Sequence, residues 1–172
     1  MRRYRIVAAR NSVRKTPHLL VKSNRPGWVT LSVSPALESK DAITDCFRPH
    51  LNGLPEDLVE NLLLAVDELV GNAMEHGCRL DPNRWVDVSL IRTERLIMMY
   101  VHDDGEGFSV GSAGHAAINN PPDNPLLHTE LRSKLGLRPG GFGIMLAKKV
   151  ADELIYNQHG NSVMLLKYLD RP

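Results

Sequence analysis

Glu68, Asn72 and His76 stand four residues apart in the segment ELVGNAMEHG. At 3.6 residues per turn that interval lines them along one ridge of a helix. A carboxylate, an amide oxygen and an imidazole on one ridge suit a base, a hard-metal ligand and a phosphate neighbour. A plain polar helix face gives the same letters, and Asp67 and Glu75 beside them read as solvent-facing charges. A second cluster, His102-Asp103-Asp104-Gly105-Glu106-Gly107, directly follows a run of Ile, Met, Tyr and Val. A carboxylate at a strand end can accept a hydrogen bond from an amino group such as that of adenine, whereas guanine offers a carbonyl there and is repelled. The glycines allow a sharp turn and close approach to a ligand, although a simple turn has the same composition. A third cluster, Arg138-Pro139-Gly140-Gly141-Phe142-Gly143, opens a helix. Free amides at a helix start attract anions, and glycines clear room for a phosphate; a hinge is the alternative.

These clusters need elements to hold them. The clearest helix begins at Pro55, with an acidic first turn of Glu56 and Asp57. Leu58, Leu62, Ala65, Val66, Leu69 and Ala73 repeat along it at helical spacing, and Gly77 reads as its C-cap. An earlier helix is expected from Ser34-Pro35 to about Leu51, stopped by Asn52-Gly53. Strands are expected at Trp28–Val33, Trp85–Ile91, Leu96–Val101, about Leu154–Asn157 and Ser162–Tyr168. Between them lies Ser109–Pro139, a long Gly-, Asn- and Pro-rich stretch of the kind that forms lids or binding loops. A helix from about Phe142 to Leu154 follows it. Helices and antiparallel strands around one core make an α+β two-layer sandwich, with a mixed, mostly antiparallel sheet covered by helices on one face.

Composition narrows the classes. The chain has 172 residues, 21 Lys plus Arg against 20 Asp plus Glu, and 42% apolar residues. Such a chain can bury a core, and its near-neutral charge argues against a whole-molecule grip on nucleic acid or anionic membrane. Cys46 and Cys78 are too few for a disulfide framework or a zinc site. No apolar stretch approaches a bilayer span, and the expected location is cytoplasmic. Residues 1–27 carry Arg2, Arg3, Arg5, Arg10, Arg14, Lys15, Lys22 and Arg25 with no acidic residue. They read as a solvated basic arm, or as a docking segment for an acidic partner surface, ahead of one domain over 28–172. Trp28, Trp85, Met98 and Met99 read as strand packing, and Cys78 as a residue past the helix end that is open to exposure.

The order of a Glu-x-x-x-Asn helix, a strand ending in Asp-x-Gly-x-Gly, a long loop and a Gly-rich helix start resembles the GHKL ATPase superfamily. Within it, ELVGNAMEHG, DDGEGF and GGFGIMLAKKVAD are most similar to bacterial anti-sigma-factor serine/threonine kinases. The resemblance spans about Trp28 to Leu169 and implies a Bergerat-type fold that binds ATP with Mg2+ beneath a lid at about 108–140. It implies Glu68 as general base and Asn72 as magnesium ligand, and the ridge spacing adds His76 as a phosphate neighbour. It implies Asp103 on the adenine amino group, with Gly105 and Gly107 shaping the pocket. Gly141 and Gly143 would meet the phosphates, with Gly140 and the preceding loop acting as lid, Arg138 would meet the γ-phosphate, and Ser162 would belong to the surroundings of the adenine-binding aspartate. The activity implied is phosphorylation of a serine on a STAS-class antagonist together with sequestration of a sigma factor. Related kinases imply a homodimer. An ATP-gated binding module or a free-standing ATPase is the alternative.

Overall fold

A computed structural model describes residues 19–107, 124, 127–134 and 142–169. Six strands form one sheet in the order β1-β2-β3-β4-β6-β5, and every pairing in it is antiparallel. The strands are β1 (Leu19–Arg25), β2 (Trp28–Val33), β3 (Val86–Arg92), β4 (Leu96–Asp103), β5 (Glu153–Tyr156) and β6 (Ser162–Tyr168). The α-helices are α1 (Lys40–Phe47), α2 (Glu56–Asn72), α3 (Leu127–Lys134) and α4 (Gly143–Val150). The two-layer α+β architecture expected from the sequence is borne out.

Alternation explains why one face of the sheet is covered. Val29, Leu31 and Val33 of β2, Val86, Val88 and Leu90 of β3, and Ile97, Met99 and Val101 of β4 are buried on the same side. Leu62, Val66, Leu69 and Val70 of α2 and Ile43 and Phe47 of α1 meet them. Helix α2 runs across β4 and packs against both α1 and α4. Met98 is turned away from this core and is half-buried, so only Met99 of the two expected core methionines lies within it.

Several boundaries differ from the sequence reading. The last part of the basic arm is β1, an edge strand joined to β2 through Pro26-Gly27, with Gly27 at φ +70°. Its charge suits an edge, where Lys22 reaches Asp87 at 2.8 Å. The first helix is broken into a 3-10 turn (Leu37–Ser39), α1 and a second 3-10 turn (Arg48–Leu51). Pro49 lacks the N–H that an α-helix would need there. Part of the long loop is helical, as α3, and α4 stops at Val150 because Ala151 is already extended into β5. Cys78 is fully buried, and burial pushes its thiol up to about 11, which leaves it unreactive. Trp28 is 47% exposed, with its indole N–H donated to Thr30 Oγ1.

Candidate functional site

The site is built where the C-terminal half of α2 crosses the end of β4. Asp103 closes β4, and the alternation that buries Ile97, Met99 and Val101 also turns it toward the helices, where it is 5% exposed. Burial pushes its carboxyl above the ordinary range. The Gly105 N–H, donated to Oδ1 at 2.8 Å, and the charge of His102 oppose that shift. Two glycines make room for this carboxylate. A methyl group at Gly77 would overlap the Asp103 carboxyl, and one at Gly105 would overlap Gly77 O. Gly77 therefore acts as more than the helix stop the sequence implied.

Helix α2 ends at Asn72, and the chain continues in a wider π turn (Ala73–Gly77), with Cys78 N–H bonded to Ala73 O at 2.7 Å. Asn72 faces an open cleft of about 280 Å3, its mouth included, together with Asp103 and Asn161. Leu69, Ala73, Val101, Tyr156 and Val163 form the apolar walls of that cleft. Burial pushes the phenol of Tyr156 up to about 12, so it stays neutral.

Glu68 lies one helical turn before Asn72, half-buried and outside the cleft lining. It meets the first residue of α4: a methyl at Gly143 would stand 2.6 Å from Glu68 Oε2 and 3.0 Å from its Cβ. The structure thus joins Glu68 to Gly143 and Asn72 to Asp103. His76 is exposed and outside the cleft lining, because the π turn carries it off the ridge shared by Glu68 and Asn72. Asp67, expected to face solvent, is half-buried and paired with Lys40 at 2.7 Å.

Ser162 contributes to the cleft wall, but its hydroxyl is engaged on the opposite side of the sheet. There it accepts from Tyr100 OH at 3.2 Å and lies 2.8 Å from His102 Nδ1. Asn161, paired with Asp103, stands on the cleft side instead. Asn161 and Tyr156 join the site without a motif to mark them, although alternation counted back from Val163 points to Asn161. Gly107, at φ +78°, packs onto the β5–β6 turn. Arg138, Gly140 and Gly141 lie outside the described residues, as do 108–123 of the expected lid.

The parts present fit an adenine nucleotide. A buried carboxylate at the floor of an apolar cleft can recognise an exocyclic amino group. An amide oxygen at the same cleft suits a hard cation. Among the described residues no group of three or more His, Cys, Asp or Glu could hold a metal on its own. A magnesium ion here would therefore take most of its ligands from phosphates and water, as Mg2+ commonly does.

A helix layer covers the antiparallel sheet, and the cleft opens between α2 and β4. Residues 33–167 match the histidine kinase-like ATPase domain, and the chain belongs to that family. The GHKL resemblance read from the motifs is borne out, and membership implies use of ATP. Among its relatives is the serine-protein kinase RsbW of Oceanobacillus iheyensis, 27% identical over 118 residues that cover 68% of this chain and 70% of the relative. The serine-protein kinase RsbW of Bacillus subtilis is 29% identical over 119 residues, 69% of each chain. Among the described residues no helix is long and apolar enough to cross a membrane.

Proposed function

We propose that this chain is an ATP-dependent protein serine/threonine kinase of the anti-sigma type. Its acceptor is a serine on a STAS-class antagonist, and it also sequesters a sigma factor. The observation that carries the reading is the shared cleft of Asn72 and Asp103, with Glu68 one turn back against the start of α4. The two serine-protein kinase relatives support the choice of acceptor chemistry.

In this reading Asp103 accepts the adenine amino group and rejects a guanine carbonyl. Leu69, Ala73, Val101 and Val163 remove water from around the base. Asn72 would hold Mg2+ through its amide oxygen, and the bound ion would supply neutralisation of phosphate charge. The start of α4 at Gly143, with Gly141 and Arg138 before it, receives the phosphates, and Gly140 belongs to the lid. Glu68 orients the incoming serine hydroxyl and takes its proton as the phosphoryl group is transferred. Phosphoryl transfer needs alignment and charge neutralisation more than covalent help, which is what these groups supply.

The test is label transfer from γ-labelled Mg-ATP to a cognate STAS protein. Wild type labels a serine. Glu68→Gln lowers transfer by about 100-fold or more while ATP affinity changes little. Transfer retained in that variant would remove Glu68 from its role. ATP binding with no transfer by the wild type would favour an ATP-gated module, and phosphate release without an acceptor a free-standing ATPase.

A further inference from the structure

Asn161 ties the Asp-x-Gly-x-Gly loop to the neighbouring hairpin. Its carbonyl accepts the Asp103 N–H at 3.0 Å. Its side-chain nitrogen donates to Asp103 O at 3.2 Å and to Gly105 O at 3.4 Å. Asn157 sets the orientation of that amide, because Asn157 Nδ2 donates to Asn161 Oδ1 at 2.7 Å. Only the nitrogen end of Asn161 is then left for the loop carbonyls. Asn157 Oδ1 in turn accepts the backbone N–H groups of Asn161 at 3.1 Å and Ser162 at 3.2 Å, so the turn is braced from within. On the other face of the sheet, His102 Nδ1 lies 3.2 Å from Asn161 O.

The loop has a second anchor on its far side. Arg84 donates to Asp104 O at 3.0 Å, and Asp104 Oδ2 accepts the Trp85 N–H at 3.0 Å. Residues 103–105 are thus stretched between β3 and the β5–β6 turn. The Gly105 N–H that reaches Asp103 Oδ1 lies between these anchors. Loss of either anchor lets the peptide carrying that N–H rotate, and the carboxylate loses its fixed orientation.

We infer that Asn161 is a positioning residue for nucleotide selection, an inference that rests on the adenine-nucleotide reading above. It clamps the loop through two carbonyls so that the Asp103 carboxylate is held ready for the base. It has no part in the transfer step. The role predicts a split in kinetics: the loss falls on KM for ATP and on the preference for ATP over GTP, with kcat at saturating ATP much less affected.

The experiment pairs hydrogen–deuterium exchange of the segment 103–107 in the nucleotide-free protein with steady-state kinetics. The variants are Asn161→Ala, Asn161→Asp and Asn157→Ala. In Asn161→Ala, exchange at 105–107 is expected to accelerate and KM for ATP to rise by about 10-fold, the size of effect that follows from losing two neutral hydrogen bonds. Asn161→Asp, which turns an acceptor toward the two carbonyls, should lose more. Asn157→Ala, which only frees the Asn161 amide, should shift both readouts the same way by less, and it serves as the deciding variant if Asn161→Ala does not fold. Wild-type exchange and wild-type KM in a folded variant would overturn the clamp, as would a fall in kcat with KM unchanged. If the wild type binds no ATP, the nucleotide reading fails, and the exchange measurement alone then decides whether Asn161 holds the loop.

Discussion

Asp103 and Cys78 sit close to the same seam between α2 and β4, and burial pushes both toward their neutral forms. For the thiol this is inert packing. For the carboxylate it has a cost, because a folded-state pKa above the unfolded value means that the folded protein binds the proton more tightly. Stability contributed this way is present at acid pH and is lost as pH rises through the folded pKa, so at neutral pH the ionised group opposes folding. Asp103→Asn keeps an oxygen for the Gly105 N–H and removes the charge. It is expected to raise the melting temperature of the nucleotide-free protein at pH 7, with the gain shrinking toward pH 4, while ATP affinity collapses. Thermal melts across pH, with and without ATP, check both halves. A binding residue traded against stability is the pattern expected of a functional carboxylate. Asp103, Asn72 and Glu68 were legible in the sequence because their spacing is chemical. Asn161 was harder to read, because it stands beside Gly160 in a turn, and only alternation counted back from Val163 puts it, and not Ser162, on the cleft face.

At the scale of elements, α2 is the best-specified part of the chain, since an acidic first turn and a continuous apolar stripe agree. Its end was less legible. The π turn after Asn72 leaves no mark in the letters, yet it takes His76 away from the ridge and brings Gly77 against Asp103. Strand β1 was hidden by its own composition, with Lys22 and Arg25 masking an edge strand that holds few core contacts. The contact of α4 on α2 carries the other half of the proposed chemistry. Gly143→Ala would put a methyl group 2.6 Å from Glu68 Oε2 and 3.0 Å from its Cβ, so the carboxylate must swing away from its place and the contact between the helices must give by a few tenths of an ångström. Displacements of this order at a reacting centre cost up to about 100-fold in rate. The variant should keep its fold by circular dichroism and lose phosphotransfer by about 10- to 100-fold.

For the whole molecule, the helical layer and the buried face of the sheet form one core, and the cleft is its open edge. Leu90, fully buried on β3, is outside the cleft lining. Leu90→Ala should lower the unfolding free energy by about 2–5 kcal/mol in a denaturant titration, with nucleotide affinity unchanged in the folded protein. The family is established by residues 33–167, and the proposal reaches further, to a specific nucleotide and a protein acceptor. Everything in it depends on the Asn72–Asp103 cleft taking adenine. Calorimetric titration of the purified chain with Mg-ATP and Mg-GTP, repeated with Asp103→Asn, is the most direct test. The account predicts saturable binding of ATP, GTP weaker by at least about 100-fold, and loss of that preference in the variant. Equal binding of the two nucleotides by the wild type, or ATP binding unaffected by Asp103→Asn, would contradict it.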